Sequence, residues 1–306
     1  MDPLSDVLAL LKPRGYVSTA LDAGGEWALR FPSNAGIKCY SIVSGHCWLS
    51  IEGVDDPITL SAGDSFLLPG GRPFVMASNL LLPSVDSNEV FASPRIKGVI
   101  SHNGGGNCLM VGSRFFLGQR HAGILLSMLP PVVFIRAKAD QAVLLWSVNL
   151  MIQELSEQRP GSELTAEHLA HLIMIQALRM HMNEGSKNGG MGWLYALADP
   201  KLAAALNAMH STPAHRWTLA ELANYAGMSR SAFALNFKKV VGTTTMEYLT
   251  QWRMMLAGEK LLNSGLPISA IAPSLGYESE SAFSTAFKRV IGCSPRDYTR
   301  RHRLSD

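Results

Sequence analysis

The sequence is short of the residues that staple or metallate a fold. Its four cysteines, Cys39, Cys47, Cys108 and Cys293, form no C-x-x-C pair among 306 residues, so neither a disulfide framework nor a structural zinc site is expected. Nine histidines include no H-x-H pair. His168 and His171 are spaced i and i+3 without an Asp, Cys or third His on that face, and read as packing residues rather than ligands. No uncharged apolar run reaches 18 residues, and "MDPLSDVLALLKPRG" carries acids where a secretion signal starts basic. A cytoplasmic protein with no membrane partner is therefore expected. The glycine-rich "SHNGGGN" at 101–107 is followed by the strand-like "CLMVGSRFFL" and not by the helix a phosphate loop needs, so it reads as a hairpin loop.

What is present begins with an uneven charge. Residues 200–306 hold 13 Lys and Arg against 7 Asp and Glu, whereas residues 1–199 hold 14 against 17. A basic C-terminal third points to a polyanion, because cations near phosphates release condensed counterions. The same third repeats itself: "SAFALNFKKVVG" at 231–242 returns as "SAFSTAFKRVIG" at 281–292. Each copy reads as a short helix, a glycine turn and a second helix.

In copy one Thr218 and Glu221 spell a capping box, Gly227 takes the turn and Ser229 caps the second helix. Phe233, Phe237 and Val240 fall on its inward stripe, which leaves Arg230, Ser231, Ala234, Leu235, Asn236, Lys238 and Lys239 around the outside. In copy two Gly276, Ser279, Phe283, Phe287 and Val290 repeat these roles, and Glu280, Ser281, Ser284, Thr285, Lys288 and Arg289 form the outward set. This is the helix-turn-helix pattern, at 219–241 and 268–291, in which the second helix enters the major groove of double-stranded DNA. A solenoid would need three or more copies. The apolar stretch between the copies predicts a spacer helix of about 18 residues, roughly 27 Å, able to present both units to one face of a duplex.

Residues 216–301 resemble the DNA-binding domain of AraC/XylS-type transcription regulators. The likeness rests on "ELANYAGMSRSAFALNFKKVVG", the spacer "YLTQWRMMLAGEKLL" and "IAPSLGYESESAFSTAFKRVIGCSPRDYTR". It implies a promoter-binding regulator, in most cases an activator that contacts RNA polymerase, with an N-terminal cupin-like effector domain and a homodimeric state. Two departures stand out: Leu235 and Thr285 occupy positions where relatives often carry Arg or Gln, and Pro273 falls inside the first helix of copy two, which it is expected to shorten or kink.

The first 130 residues have the grammar of a small β barrel, with short β-rich runs between Gly, Pro and Asp turns. "GDSFLLPGGRPF" resembles the second cupin motif through Gly63, Pro69 and Gly71, but Phe74 stands where the motif places a metal-binding His, and only the lone His46 lies near the first motif. No cofactor, no metal and no catalytic residue is expected. The barrel is instead the place for a small-molecule or oxidant effector; Trp27, Cys39, Cys47 and Trp48 are its candidate contacts, against a plainer reading of all four as core residues.

The expected architecture is multidomain α and β: a cupin-like β effector domain at 1–135, a helical pair for dimerisation at 136–183, a linker at 184–199 and an all-α DNA-binding domain at 200–306. An enzyme fused to the same DNA-binding domain and a constitutive DNA-architectural protein are the alternatives. In the helical pair, Leu145, Val148, Ile152 and Leu155 form the predicted stripe of the first helix, and Leu169, Leu172, Ile173, Ile175 and Leu178 make the second apolar on more than one face.

Overall fold

The computed structural model of the chain describes residues 2–11, 13–34, 36–93, 98–117, 126, 129–136, 142–188 and 191–303. The chain divides into two compact units. One is built from Pro13–Gly118 and Pro130–His181; the other includes Met1–Lys12 and Met182–Asp306.

The first unit is a curled, mixed sheet forming a half-barrel. Its strands are β1 (Pro13–Ala23), β2 (Ala28–Phe31), β3 (Gly36–Ile51), β4 (Ile58–Ser61), β5 (Ser65–Leu68), β6 (Phe74–Ala77), β7 (Val85–Asp86), β8 (Val99–His102), β9 (Cys108–Leu117) and β10 (Val133–Ile135). The 16-residue β3 organises it: its first half pairs with β9 and β5, its second half with β6 and β4. A register shift between Ile42 and Ser44 marks where β3 leaves β9, as a bulge that bends a strand would. β9 continues against β1, which ends beside β8. The glycine-rich stretch at 101–107 joins β8 to β9, and Gly104, Gly105 and Gly106 all have positive φ.

The inner face is apolar and aromatic. Phe31 stacks on Phe74 at 4.4 Å, and Tyr40 stacks on Phe66 at 5.3 Å with its edge toward Phe31. Phe74, at the position of the cupin histidine, is thus fully committed to a ring cluster. His46 is exposed on β3, paired in register with Ser61. Five-residue α2 (Ser87–Phe91) closes one side, capped by Asp86, whose carboxylate accepts from the Asn88 N–H at 2.9 Å.

Two helices follow in this unit, α3 (Ala142–Glu157) and the start of α4 (Ser162–Asn188). The buried face of α3 is Leu144, Ser147, Val148 and Met151, not the predicted stripe through Leu145. The stripe is rotated because Ser147 is tolerated inside: its hydroxyl donates to the Val143 carbonyl at 2.7 Å. Leu145 is exposed, as are Val143 and Trp146. On α4, Leu169, Ile173 and Leu178 are buried, while Leu172 and Ile175 are half-buried.

The second unit is helical: α1 (Pro3–Leu11), α5 (Trp193–Ala198), α6 (Pro200–Ser211), α7 (Leu219–Tyr225), α8 (Arg230–Val241), α9 (Thr245–Asn263), α10 (Ile268–Ser274), α11 (Glu280–Ile291) and α12 (Pro295–Arg303). Two boundaries differ from expectation. The predicted linker 184–199 is helical at 184–188 and again in α5, where Trp193 is buried and donates its indole N–H to the Tyr248 hydroxyl at 2.9 Å. The first helix belongs to this unit and not to the β unit. Its Leu4, Val7, Leu10 and Leu11 are buried, and Asp6 reaches His210 Nδ1 at 3.2 Å.

The His210 ring is stacked 3.9 Å from Trp252, with Nε2 2.7 Å from the Tyr248 hydroxyl. A neutral ring satisfies every partner: Nδ1–H donates to Asp6, and Nε2 accepts from Tyr248. Burial pulls the His210 pKa down to about 3.

Candidate nucleic-acid interface

Both repeats fold as units of the same construction. Thr218 Oγ1 accepts from the Glu221 N–H at 3.2 Å while the Glu221 carboxylate accepts from the Thr218 N–H at 2.7 Å, completing the capping box of α7. These bonds hold the Glu221 carboxyl below its ordinary pKa. Gly227 and Gly276 turn the chain at φ +59° and +82°, in the left-handed region. Ser229 then accepts from the Ala232 N–H at 3.3 Å, and Ser279 from the Ala282 N–H at 3.2 Å, starting α8 and α11.

Each of these helices is 12 residues long and ends at a left-handed glycine, Gly242 or Gly292. Their inner stripes are locked by aromatic pairs: Phe237 meets Tyr248 at 5.8 Å, and Phe287 meets Tyr298 at 5.4 Å. Val240 and Val290 are only half-buried at the edges of these stripes. Copy two also stacks its short helix normally; α10 and α7 both have seven residues. Pro273 costs little there, since it is exposed one position from the end of the helix.

All thirteen residues of the predicted outward sets stay accessible. Arg230, Ser231, Leu235, Lys238 and Lys239 are exposed on α8, with Ala234 and Asn236 half-exposed; on α11 the exposed residues are Glu280, Ser281, Thr285, Lys288 and Arg289, with Ser284 half-exposed. Leu235 is 73% exposed, an unusual position for a large apolar side chain on a helix whose other large apolar residues turn inward.

The residue that sequence reading missed is Arg253, in the middle of α9. Its Nε donates to the Pro213 carbonyl at 2.7 Å, its terminal nitrogen to the His215 carbonyl at 2.7 Å, and its guanidinium lies 5.7 Å from the centre of the Tyr277 ring. It therefore ties the segment that enters copy one to the turn of copy two. Arg216 and Glu278 form an ion pair across the same seam. The backbone itself closes there: a Cβ on Gly276 would fall 2.5 Å from the Ala214 carbonyl oxygen. An arginine interrupting the apolar "QWRMML" was the one available signal.

The candidate effector contacts in the β unit are mostly committed elsewhere. Trp27 and Cys47 are buried in the apolar core, Cys39 is buried on β3, and Trp48 is partly exposed beside β4 and β6. Burial pushes the Cys39 thiol up to about 12. Cys47 is raised as well, by a hydrogen bond with Cys108 and by burial.

Two family models match: a cupin over residues 2–183 and a helix-turn-helix domain over residues 222–301. Proteins of Streptomyces lividans and Streptomyces antibioticus named as AraC-like transcription regulators are 42% and 43% identical over 281 residues, 92% of this chain and 92% of each of theirs. Among solved structures, the C-terminal domain of the response regulator AraT from Geobacillus stearothermophilus is 33% identical. That match covers 33% of this chain and 85% of that one, with a TM-score of 0.33. With a curled β domain of cupin type, two helix-turn-helix units and relatives of this identity along nearly its whole length, the chain belongs to the AraC-like transcription regulators.

Proposed function

We propose that this DNA-binding regulator reads an asymmetric promoter site with α8 and α11 in two successive major-groove segments, activates transcription through RNA polymerase, catalyses no reaction and responds to an effector in the β unit. The observation that carries the reading is the pair of helices with the same buried letters and different exposed ones. Ala234, Leu235 and Asn236 on α8 correspond to Ser284, Thr285 and Ala286 on α11; of these only Ala286 is buried. Lys238, Lys239, Lys288 and Arg289 anchor phosphates. Arg230, Ser231 and the α8 trio face bases of one segment, and Glu280, Ser281, Ser284 and Thr285 face the other. Leu235 suits a thymine methyl and Glu280 a cytosine amino group.

Footprinting across the chain's own promoter region at several salt concentrations tests this. One protected site of about two helical turns is expected. Lys238→Ala or Lys288→Ala should each lower the slope of log K against log salt by about 0.9. Uniform protection of all sequences would defeat the reading and leave an architectural protein.

The helical pair supports a homodimer. Trp146 is 59% exposed with Val143 beside it on α3, an apolar surface suited to a second copy. Sedimentation of Trp146→Glu should shift the protein toward monomer; an unchanged species would remove α3 from the dimer contact.

A further inference from the structure

The β unit holds a charge arrangement that DNA binding does not use. β3 and β9 place Lys38 directly opposite Arg114. Side chains alternate along a strand, so Lys38 shares a face with Tyr40 and Ile42, and Arg114 with Met110 and Cys108; those four line the core. Like charges opposed across a strand pair repel, and burying a cation is costly unless something answers it.

Nothing anionic answers this pair among the described residues. Lys38 is only 2% exposed, its ammonium donating to the Pro32 and Arg72 carbonyls and lying 5.0 Å from the centre of the Phe74 ring. Arg114 lies over the Phe116 ring at 5.4 Å. Both cations line one cavity of about 350 Å³, with Thr19, Tyr40, Phe31 and Phe91.

Tyr40 gives the second, independent observation. It is 8% exposed and lines the cavity, and its hydroxyl makes no hydrogen bond among the described residues, which leaves a donor and acceptor for an occupant of that cavity. Its ring is fixed against Gly112, where any Cβ would lie 2.3 Å from a ring carbon. A glycine is thus spent on holding an unpartnered phenol at the cavity wall.

We propose that this cavity is a binding site for a small organic carboxylate, its head between Lys38 and Arg114 within reach of the Tyr40 hydroxyl, its apolar body against Phe31 and Phe91. The proposal deepens the effector-controlled reading above and rests on it for its regulatory consequence. A carboxylate accepts from Arg and Lys together. Ser87 and Asn88, in the first turn of α2, also line the cavity, but the Asn88 N–H is already taken by the Asp86 carboxylate, where a phosphate cradle needs successive free N–H groups. Burial and the neighbouring Arg114 bring the Lys38 pKa down to about 8, the direction expected of a cation that lacks its counter-ion.

Calorimetric titration of the full chain, without DNA, compares 4-phenylbutyrate, its neutral amide and phenyl phosphate. The acid should bind at least about tenfold more tightly than the amide, and Arg114→Met should lose at least about tenfold in affinity for the acid. Arg114→Met should melt no lower than the wild type when both are ligand-free, since it relieves the repulsion. Lys38→Met supplies a second variant if the first misfolds. Equal binding of acid and amide, affinity retained in a folded variant, absence of binding by all three probes, or binding of phenyl phosphate alone would overturn the proposal. A footprint that survives such a result leaves the regulator standing, and a missing footprint with intact acid binding removes the regulator alone.

Discussion

His210 shows how one side chain can make a fold sensitive to acid. Its folded pKa of about 3 lies below the 6.5 of a free imidazole, so between those values the unfolded chain binds a proton that the folded chain refuses. Stability from this group is complete above pH 6.5 and is lost as pH falls below it, at a rate approaching 1.4 kcal/mol per unit, which amounts to about 2 kcal/mol between pH 7 and pH 5. Urea unfolding at the two pH values should show a wild-type loss about 2 kcal/mol larger than that of His210→Phe. Equal losses would mean that the folded protein accepts the proton. None of this was readable in the sequence: Asp6 and Tyr248 stand 204 and 38 residues from His210, and no local pattern announces a partner so distant. The outward residues of α8 and α11 were readable because helical periodicity alone separates them from Phe233, Phe237, Phe283 and Phe287.

At the scale of elements, the two glycine turns look interchangeable in sequence and differ in space. Nothing stands within 4 Å of a Cβ built on Gly227, whereas one on Gly276 meets the Ala214 carbonyl oxygen at 2.5 Å and the Arg253 side chain at 2.9 Å. Gly227→Ala should cost about 1 kcal/mol, the strain of a left-handed alanine. Gly276→Ala pays the same strain and must also open the seam between the repeats, so its loss should exceed the first by about 1 kcal/mol or more. Thermal melts of the two variants check this, and equal losses would contradict the seam. Caps, turns and the spacer helix were legible because each is decided within a few residues. Strand register was not, and neither was the helical character of 184–188 and 193–198. Trp193 is held by Tyr248, 55 residues away, a partner that no local pattern names. The α3 stripe was misplaced for a related reason: a serine that satisfies itself on its own helix can face inward.

For the whole molecule, the change in composition near residue 135 and the charge carried after residue 200 announced a β part and a basic helical part, and both are present. The membership of α1 in the helical unit was hidden, since "PLSDVLALL" is an ordinary amphipathic turn until its partners on α5, α6 and α9 are known. The central claim is that one chain reads two different groove segments with two helices of one construction. Selection of bound sequences from a random DNA pool tests it most directly, using the wild type and Leu235→Arg. Arginine at this exposed position should create a guanine preference worth about 1–3 kcal/mol at one position. That preference is expected in one half of the selected site, with the other half unchanged. An unchanged site, or a new preference appearing in both halves, would contradict the account.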